Sequence, residues 1–150
     1  QPYIVARMSE LALDKGRPKK VLELGSGSGY QTAILSSLAD EICAIERIKP
    51  LIEKAKARLR ALKIRNFRLR HGDGAEGWES EAPFDLILSA AASQKIPEAL
   101  LKQLVSGGQL ILPVGLEQQK LIRVTAEGDG FIEEFIEDVH FVPMVSGLIS

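Results

Sequence analysis

The chain has 150 residues, of which 45% are apolar and 26% charged; 19 Lys or Arg face 20 Asp or Glu, so the formal net charge is −1. This length suits one domain with a buried core, and the composition argues against a disordered chain. The near-zero net charge argues against a protein that mainly coats nucleic acid or an acidic membrane. The single cysteine, Cys43, excludes an internal disulfide and a cysteine-based zinc cluster.

The hydropathy of the chain and its first residues indicate whether it contains a membrane segment or a signal peptide. No apolar run approaches the roughly 18 residues that a membrane-spanning helix needs. The first residues lack the basic and apolar regions of a signal peptide. We therefore expect a cytoplasmic enzyme or binding domain without a membrane segment. Because the chain begins at Gln1 and not at an initiator Met, we expect it to be cut from a longer one.

The first two thirds of the sequence predict helices that alternate with short apolar strands. The predicted helices are one that ends before Gly16, one over residues 30–38, one that begins at Pro50 with an apolar stripe of Leu51, Ala55, Leu59 and Leu62, and one over residues 97–104 that Gly107 and Gly108 break. The predicted strands cover residues 19–24, 41–45, 66–71, 85–88 and 109–112. This alternation predicts parallel pairing with right-handed crossovers.

The last third changes character. Residues 120–125 and 131–136 are two strand-like runs, joined by a turn that is rich in Gly and acidic residues, which is typical of a hairpin. We therefore predict one α/β domain over residues 1–150, a doubly wound, Rossmann-like sandwich. Its sheet is mostly parallel, with an antiparallel hairpin near the C-terminus. Sheets of this kind bind ligands beyond the carboxyl ends of their strands.

A glycine-rich segment, residues 25–29 (GSGSG, the glycine loop), lies between the first predicted strand and its helix. Such a turn allows backbone N–H groups to approach a ligand closely. The acidic residue Glu46 ends the second strand, 17 residues beyond Gly29 (46 − 29). A carboxylate there is placed to accept both ribose hydroxyls of an adenosine-containing ligand. The alternative is that Glu46 forms a surface pair with Arg47 or Lys49.

Two features of this loop bear on which nucleoside ligand fits. The NAD fingerprint G-x-G-x-x-G uses its third glycine for close helix packing, whereas here Gly29 comes one place early and Tyr30 is predicted at the packing position. The acid before the loop, Glu23, would repel a pyrophosphate and favour the sulfonium and ammonium groups of S-adenosylmethionine. The alternative for Glu23 is a salt bridge with Lys19 or Lys20.

Several segments, in this order and spacing, resemble the protein-L-isoaspartate O-methyltransferase family from the first residue nearly to the last. They are QPYIVA (1–6), VLELGSGSGYQTAIL (21–35), IERI (45–48), HGDG (71–74), APFDLILSAAA (82–92), GGQLILPVG (107–115) and FVPMV (141–145). The glycine loop alone marks only the wider superfamily of S-adenosylmethionine-dependent methyltransferases. The later blocks are more specific to the family.

The resemblance implies a role for each matching position. The cofactor side comprises Gly25, Ser26 and Gly27 along the methionine part with Glu23 nearby, Glu46 at the ribose, and Asp73 and Gly74 at the adenine. The substrate side comprises Pro2 at the start of the substrate-facing helix and the small residues Ala90 and Ala91. From the sequence alone, Asp73 and Gly74 are equally typical of a turn, and the alanines of packing beneath a loop.

The resemblance also implies a function. It implies methyl transfer from S-adenosylmethionine to the α-carboxylate of L-isoaspartyl residues in damaged proteins and peptides, with S-adenosylhomocysteine as product. We expect no metal, no nucleic-acid or membrane partner, and a monomer. The family's active-site Ser would precede Gln1, so we expect no catalytic residue within this chain. The alternatives are a non-catalytic cofactor-binding fragment, a methyltransferase of another substrate class, and an NAD-dependent oxidoreductase.

Overall fold

The computed structural model describes residues 2–150, apart from the side chain of Pro2; Gln1 lies outside the described residues. One seven-stranded sheet, in the order β3-β2-β1-β4-β5-β6-β7, forms the centre of the described chain. Its strands are β1 (Lys20–Leu24), β2 (Glu41–Glu46), β3 (Phe67–His71), β4 (Phe84–Ser89), β5 (Leu104–Val114), β6 (Gln119–Glu127) and β7 (Gly130–Val139). The helices are α1 (Pro2–Ala12), α2 (Tyr30–Leu38), α3 (Lys49–Ala61) and α4 (Glu98–Leu101), with 3-10 turns at Gly74–Glu76 and Glu79–Glu81.

The pairing of the strands confirms the predicted topology. The five strands β1 to β5 pair in parallel, and β6 and β7 continue the sheet as antiparallel strands at one edge. The central strands are buried almost throughout, as expected for a parallel sheet covered on both faces. The direction of the parallel strands brings the ends of β1, β2 and β4 to a common edge.

Each face of the sheet carries its own apolar core. On one face, α1 and α2 pack against the strands through residues that include Met8, Leu11 and Leu35. On the other face, Phe84 and Leu100 are fully buried. Two ion pairs fix α1 and the turn that follows it to the hairpin: Arg7 of α1 pairs with Glu137 of β7 at 2.8 Å, and Asp14 of the turn pairs with Arg123 of β6 at 2.7 Å. No described helix is long and apolar enough to cross a membrane.

The predicted helix over residues 97–104 is wrong in its extent. The helix α4 ends at Leu101, and Leu104 already pairs with Phe84 as the first residue of β5. The two glycines lie inside β5 at an irregularity of its pairing with β4. At Gly108 a Cβ would approach the Val105 carbonyl oxygen to 2.9 Å, so glycine is required by close backbone packing within the strand.

The predicted apolar stripe of α3 is wrong at its last position. Leu62 is exposed, because the helix ends at Ala61 and the chain turns away at Lys63, whose φ is 60°. The buried face of α3 is instead completed by Ile52, beside Ala55 and Leu59. Pro50 lies in the first turn, as predicted, where its missing N–H costs no helical hydrogen bond.

Candidate functional site

A cavity of about 280 Å³ opens at the carboxyl ends of β1, β2 and β4, where the fold class predicts a ligand site. Its lining residues are Leu24, Gly25, Gly27, Ile45, Glu46, Arg47, Ile48, Leu51, Gly74, Ala90, Ala91, Val142, Pro143, Met144 and Val145. Six predicted site residues are therefore brought together here. Glu23, Ser26 and Asp73 adjoin lining residues in the chain without lining the cavity themselves.

The predictions for the amino end fall beyond what the structure describes. The side chain of Pro2, which the resemblance places on the substrate side, lies outside the described residues. Gln1, before which the resemblance places the family's active-site Ser, lies outside them as well. Both the substrate role of Pro2 and the position of that Ser before Gln1 therefore stay predictions.

The glycine loop is closed by the end of β2 and is not open to an anion. The N–H groups of Gly25 and Ser26 donate to the Ile45 carbonyl at 2.8 and 3.3 Å. The N–H of Gly27 donates to Glu46 Oε2 at 2.8 Å. Because these three amides already have acceptors, they are not free to hold a phosphate. The loop therefore differs from the amide cradle that dinucleotides use, in agreement with the preference for a cationic cofactor.

The prediction that Tyr30 occupies the helix-packing position is wrong. Tyr30 is exposed, and Gly29 makes the close contact: a Cβ built there would lie 3.1 Å from the Cβ of Ala55 in α3. Gly29 also has a φ of 90°, which L side chains rarely adopt. The third glycine thus serves helix packing, as in the dinucleotide fingerprint, although it comes one residue earlier.

We expect Gly29→Ala to destabilise the fold by about 1 kcal/mol more than Gly16→Ala. The two glycines have similar φ values of 90° and 97°, but a Cβ at Gly16 would meet nothing within 4 Å among the described residues. The difference between the two variants therefore reports the contact with α3. Urea unfolding of both variants and the parent measures it, and equal losses would contradict the packing role of Gly29.

Glu46 is a buried carboxylate that is held in place by backbone donors at the edge of the cavity. Its side chain accepts from the Gly27 N–H and, through Oε1, from the Ile48 N–H at 3.1 Å. No ion pair among the described residues includes Glu46, so the alternative of a surface pair is not supported. A carboxylate has about four acceptor sites, so two remain for a ligand. Its role at the ribose stays a prediction.

Glu23 lies almost fully buried beneath the loop. Its Oε1 accepts a hydrogen bond from the hydroxyl of Thr32 in α2, and its Oε2 has no hydrogen-bond partner in the part of the chain that the structure describes. Burial raises the pKa of Glu23 to about 7, with the charge of Glu46 acting in the same direction and the Thr32 hydrogen bond opposing it. Lys20, which is one of the predicted alternative partners, lies near Glu81 instead, at 3.7 Å.

Three buried polar atoms beside the cavity lack a hydrogen-bond partner among the described residues. They are Glu23 Oε2, the hydroxyl of Ser26 and Nε of Arg47, which lines the cavity. Buried polar groups are nearly always hydrogen-bonded, so such atoms beside a cavity fit a ligand that supplies the missing hydrogen-bond partners. The donor set fits S-adenosylmethionine, because its ammonium and sulfonium groups are compatible with two neighbouring carboxylates, Glu23 and Glu46.

Asp73 and Gly74 form a turn whose polar groups act within the protein. Asp73 Oδ1 accepts from the N–H of Ala75, which caps the short 3-10 turn, and Oδ2 accepts from the N–H of Gly147 at 3.1 Å. Gly74 lines the cavity, and a Cβ there would lie 3.4 Å from the Leu24 side chain. Asp73 and Gly74 therefore form a turn, which was the alternative prediction for them. Their contact with adenine stays a prediction.

The C-terminal strap, residues 140–150, is a wall of the cavity for which the sequence offered no role. The strap pairs with the segment after β4 through two backbone hydrogen bonds of Ala92. The Ala92 N–H donates to the Val142 carbonyl, and the Ala92 carbonyl accepts from the Met144 N–H. The far end of the strap crosses to the segment after β2, where Ile149 exchanges backbone hydrogen bonds with Arg47 and Lys49. The sequence signal in this region was the segment FVPMV, residues 141–145, which carries part of the family resemblance.

The two predicted alanines lie beneath this strap. Ala90 donates its N–H to the carbonyl of Leu24, and the Ser89 hydroxyl bonds to the carbonyl of Ala91, so the turn after β4 is fixed by its own backbone. Both alanines line the cavity.

Comparison with known proteins identifies the family. The profile for protein-L-isoaspartate(D-aspartate) O-methyltransferase matches residues 1–148. Protein-L-isoaspartate O-methyltransferase of Shewanella loihica is 54% identical over 150 residues, which are all of this chain and 71% of the relative. The enzyme of that name from Colwellia psychrerythraea is 53% identical over 147 residues, covering 98% of this chain and 68% of its own length.

Solved structures agree with the family assignment. A protein-L-isoaspartate O-methyltransferase superposes with a TM-score of 0.88 at 24% identity, over 99% of this chain and 49% of its own. A putative enzyme of this kind from Plasmodium falciparum, in complex with S-adenosyl-L-homocysteine, gives a TM-score of 0.79 at 28% identity, over 96% of this chain and 74% of its own. These findings confirm the predicted fold class and enzyme class, with S-adenosylmethionine as cofactor. The chain belongs to the protein-L-isoaspartate O-methyltransferase family.

Proposed function

We propose that this chain transfers a methyl group from S-adenosylmethionine to the α-carboxylate of L-isoaspartyl residues in damaged proteins and peptides. The observation that carries the proposal is the cavity itself, which is lined by the buried Glu46 and by Ala90 and Ala91. The relatives supply the substrate class, since they are protein-L-isoaspartate O-methyltransferases.

On the cofactor side, we assign the methionine part to Gly25, Ser26 and Gly27, the ribose to Glu46 and the adenine to the turn at Gly74. Glu46 supports its assignment best, because two backbone N–H groups fix its carboxylate before any ligand arrives. Such preorganisation lowers the cost of binding. When bound, S-adenosylmethionine supplies the activated methyl group.

Methylation of the acceptor carboxylate requires few catalytic groups from the protein. A carboxylate with a pKa near 4 is already ionised at neutral pH, so it needs no general base. The protein must hold one acceptor oxygen in line with the methyl group and exclude water. Ala90 and Ala91 leave space for the substrate backbone, and the strap residues Val142 and Met144 cover the cavity with apolar groups. The methyl ester is expected to cyclise to a succinimide and to reopen partly as normal aspartate.

We further propose a monomer of one domain that acts on proteins and peptides in the cytoplasm and does not bind nucleic acid. The edge strand β7 supports the monomer, because Glu133 and Asp138, which take part in no ion pair among the described residues, place negative charges on the edge that oppose pairing with a second copy. The near-zero net charge supports the absence of a nucleic-acid partner.

The test is incubation with radiolabelled S-adenosylmethionine and a peptide that contains one L-isoaspartyl residue. We expect base-labile label in that peptide and none in the matched peptide with normal aspartate, because only the former presents the α-carboxylate at the required position. Equal labelling of both peptides would contradict the substrate class. Cofactor binding by calorimetry without any labelling would instead identify a binding fragment.

A further inference from the structure

Thr32 is a buried polar side chain that the assignment above leaves without a role. It is the third residue of α2 and is completely buried. Its hydroxyl donates to Glu23 Oε1 across the space between helix and strand. Helix formation does not require a threonine here, because β-branched residues are modest helix formers. We therefore attribute the presence of a threonine at this position to its hydrogen bond with Glu23.

The surroundings of Glu23 leave Thr32 as its one side-chain hydrogen-bond donor in the described part of the chain. In the sheet, Glu23 lies between Ala44 of β2 and Leu88 of β4, neither of which carries a polar side chain. The charged group that acts on it is Glu46, which is a second carboxylate and not a donor. Thus α2 provides the donor for Oε1, while Oε2 remains without a partner.

We propose that Thr32 is a positioning residue for the cofactor, whose hydroxyl holds one oxygen of Glu23 so that the other is available to the cationic amino-acid part of S-adenosylmethionine. This inference rests on the proposed function for the identity of the cofactor. It assigns to Thr32 no contact with the cofactor itself. Thr32 acts on the cofactor indirectly, because its hydroxyl fixes the orientation of the Glu23 carboxylate and favours its ionised form.

The charge of Glu23 makes the proposal testable. An ionised Glu23 attracts a cation and a protonated one does not, so affinity should rise with pH through the pKa of this group. The Thr32 hydrogen bond lowers that pKa against the effect of burial. Removing the hydroxyl should therefore move the transition in affinity to higher pH.

The experiment measures binding of S-adenosylmethionine and S-adenosylhomocysteine by calorimetry between about pH 5.5 and pH 9 in the parent, Thr32→Val and Thr32→Ser. For Thr32→Val we expect the pH midpoint of the change in affinity to rise by about one to two units. Losing a hydrogen bond to a charged group raises the pKa of a carboxyl by about that amount. Affinity near pH 7 should then fall by about tenfold or more. Because the α-amino group of both ligands itself loses its proton at about pH 8, each profile is compared with that of Glu23→Gln, in which only the ligand titrates. Thr32→Ser, which keeps the hydroxyl, should follow the parent.

A loss that is equal at every pH, or no loss, would overturn the proposal, because a purely structural threonine has no reason to move the transition. Thr125→Val in β6 is the control and should bind as the parent does. If Thr32→Val does not fold, Thr32→Ala makes the same test with a smaller side chain. In a Glu23→Gln background, Thr32→Val should shift nothing, and a persistent shift would likewise overturn the proposal.

Failure of this inference and failure of the proposed function are distinguishable. A parent chain that binds the cofactor and labels the isoaspartyl peptide, but whose Thr32→Val profile is unshifted, contradicts only the role of Thr32. A parent that binds neither cofactor form at any pH contradicts the cofactor site, and with it the inference.

Discussion

Glu23→Gln should raise the free energy of unfolding near pH 8 by about 2–3 kcal/mol while it weakens cofactor binding. Burial raises the pKa of Glu23 to about 7 from the ordinary 4.5. The folded state therefore binds a proton more tightly than the unfolded state. The stability that this proton contributes is fully present below about pH 4.5 and is lost as the pH rises through about 7. A difference of about 2.5 units, each worth about 1.4 kcal/mol, gives about 3–4 kcal/mol at most.

The measurement is urea unfolding of the parent and the variant at several values between about pH 4.5 and pH 8. The parent should lose stability across this window more steeply than Glu23→Gln, because glutamine does not titrate. Glu53→Gln, an exposed position on α3, is the matched control and should keep the parent's slope. Parallel slopes for the parent and Glu23→Gln would mean that Glu23 ionises in the folded state as easily as in water.

Glu46→Ala should weaken the binding of S-adenosylmethionine by about 1–3 kcal/mol, which is roughly 5- to 150-fold in Kd. The change removes the acceptor assigned to the ribose. It also leaves the N–H groups of Gly27 and Ile48 without their carboxylate, so the glycine loop loses its link to β2. Titration calorimetry with the cofactor measures the effect, and the unfolding curve of the variant verifies that it still folds.

The matched control is Glu41→Ala at the opposite end of the same strand. Glu41 lies 3.4 Å from Arg68, far along β2 from the cavity, so its removal should leave the affinity unchanged. If Glu46→Ala folds and binds as tightly as the parent, the ribose assignment is wrong. If both variants weaken binding equally, the effect belongs to the stability of β2 and not to the site.

The sequence predicted well those features that depend on local pattern. The alternation of apolar strands and helices determined the parallel sheet, and the Gly-rich turn before Tyr30 located the cavity. Glu46 could be placed because a strand end is defined by a few neighbouring residues. Helix α4 was predicted too long, because pairing of Leu104 with the distant Phe84 outweighs its local helical tendency.

The parts that the sequence could not predict are contacts between distant residues. The strap is fixed by backbone hydrogen bonds to Ala92 and Arg47, and backbone groups are the same at every position of any chain. The hydrogen bond between Thr32 and Glu23 joins a helix to a strand, and no periodicity marks it. The closed state of the glycine loop likewise depends on where Glu46 lies in three dimensions.

The strap has a consequence for the order in which the site is assembled. Residues 142–145 form one wall of the cavity, whereas the wall around Gly25 is translated more than a hundred residues earlier. During synthesis, this cavity stays incomplete until residues 142–145 have left the ribosome. A ligand that contacts both walls stabilises the completed cavity by mass action over any shorter nascent form.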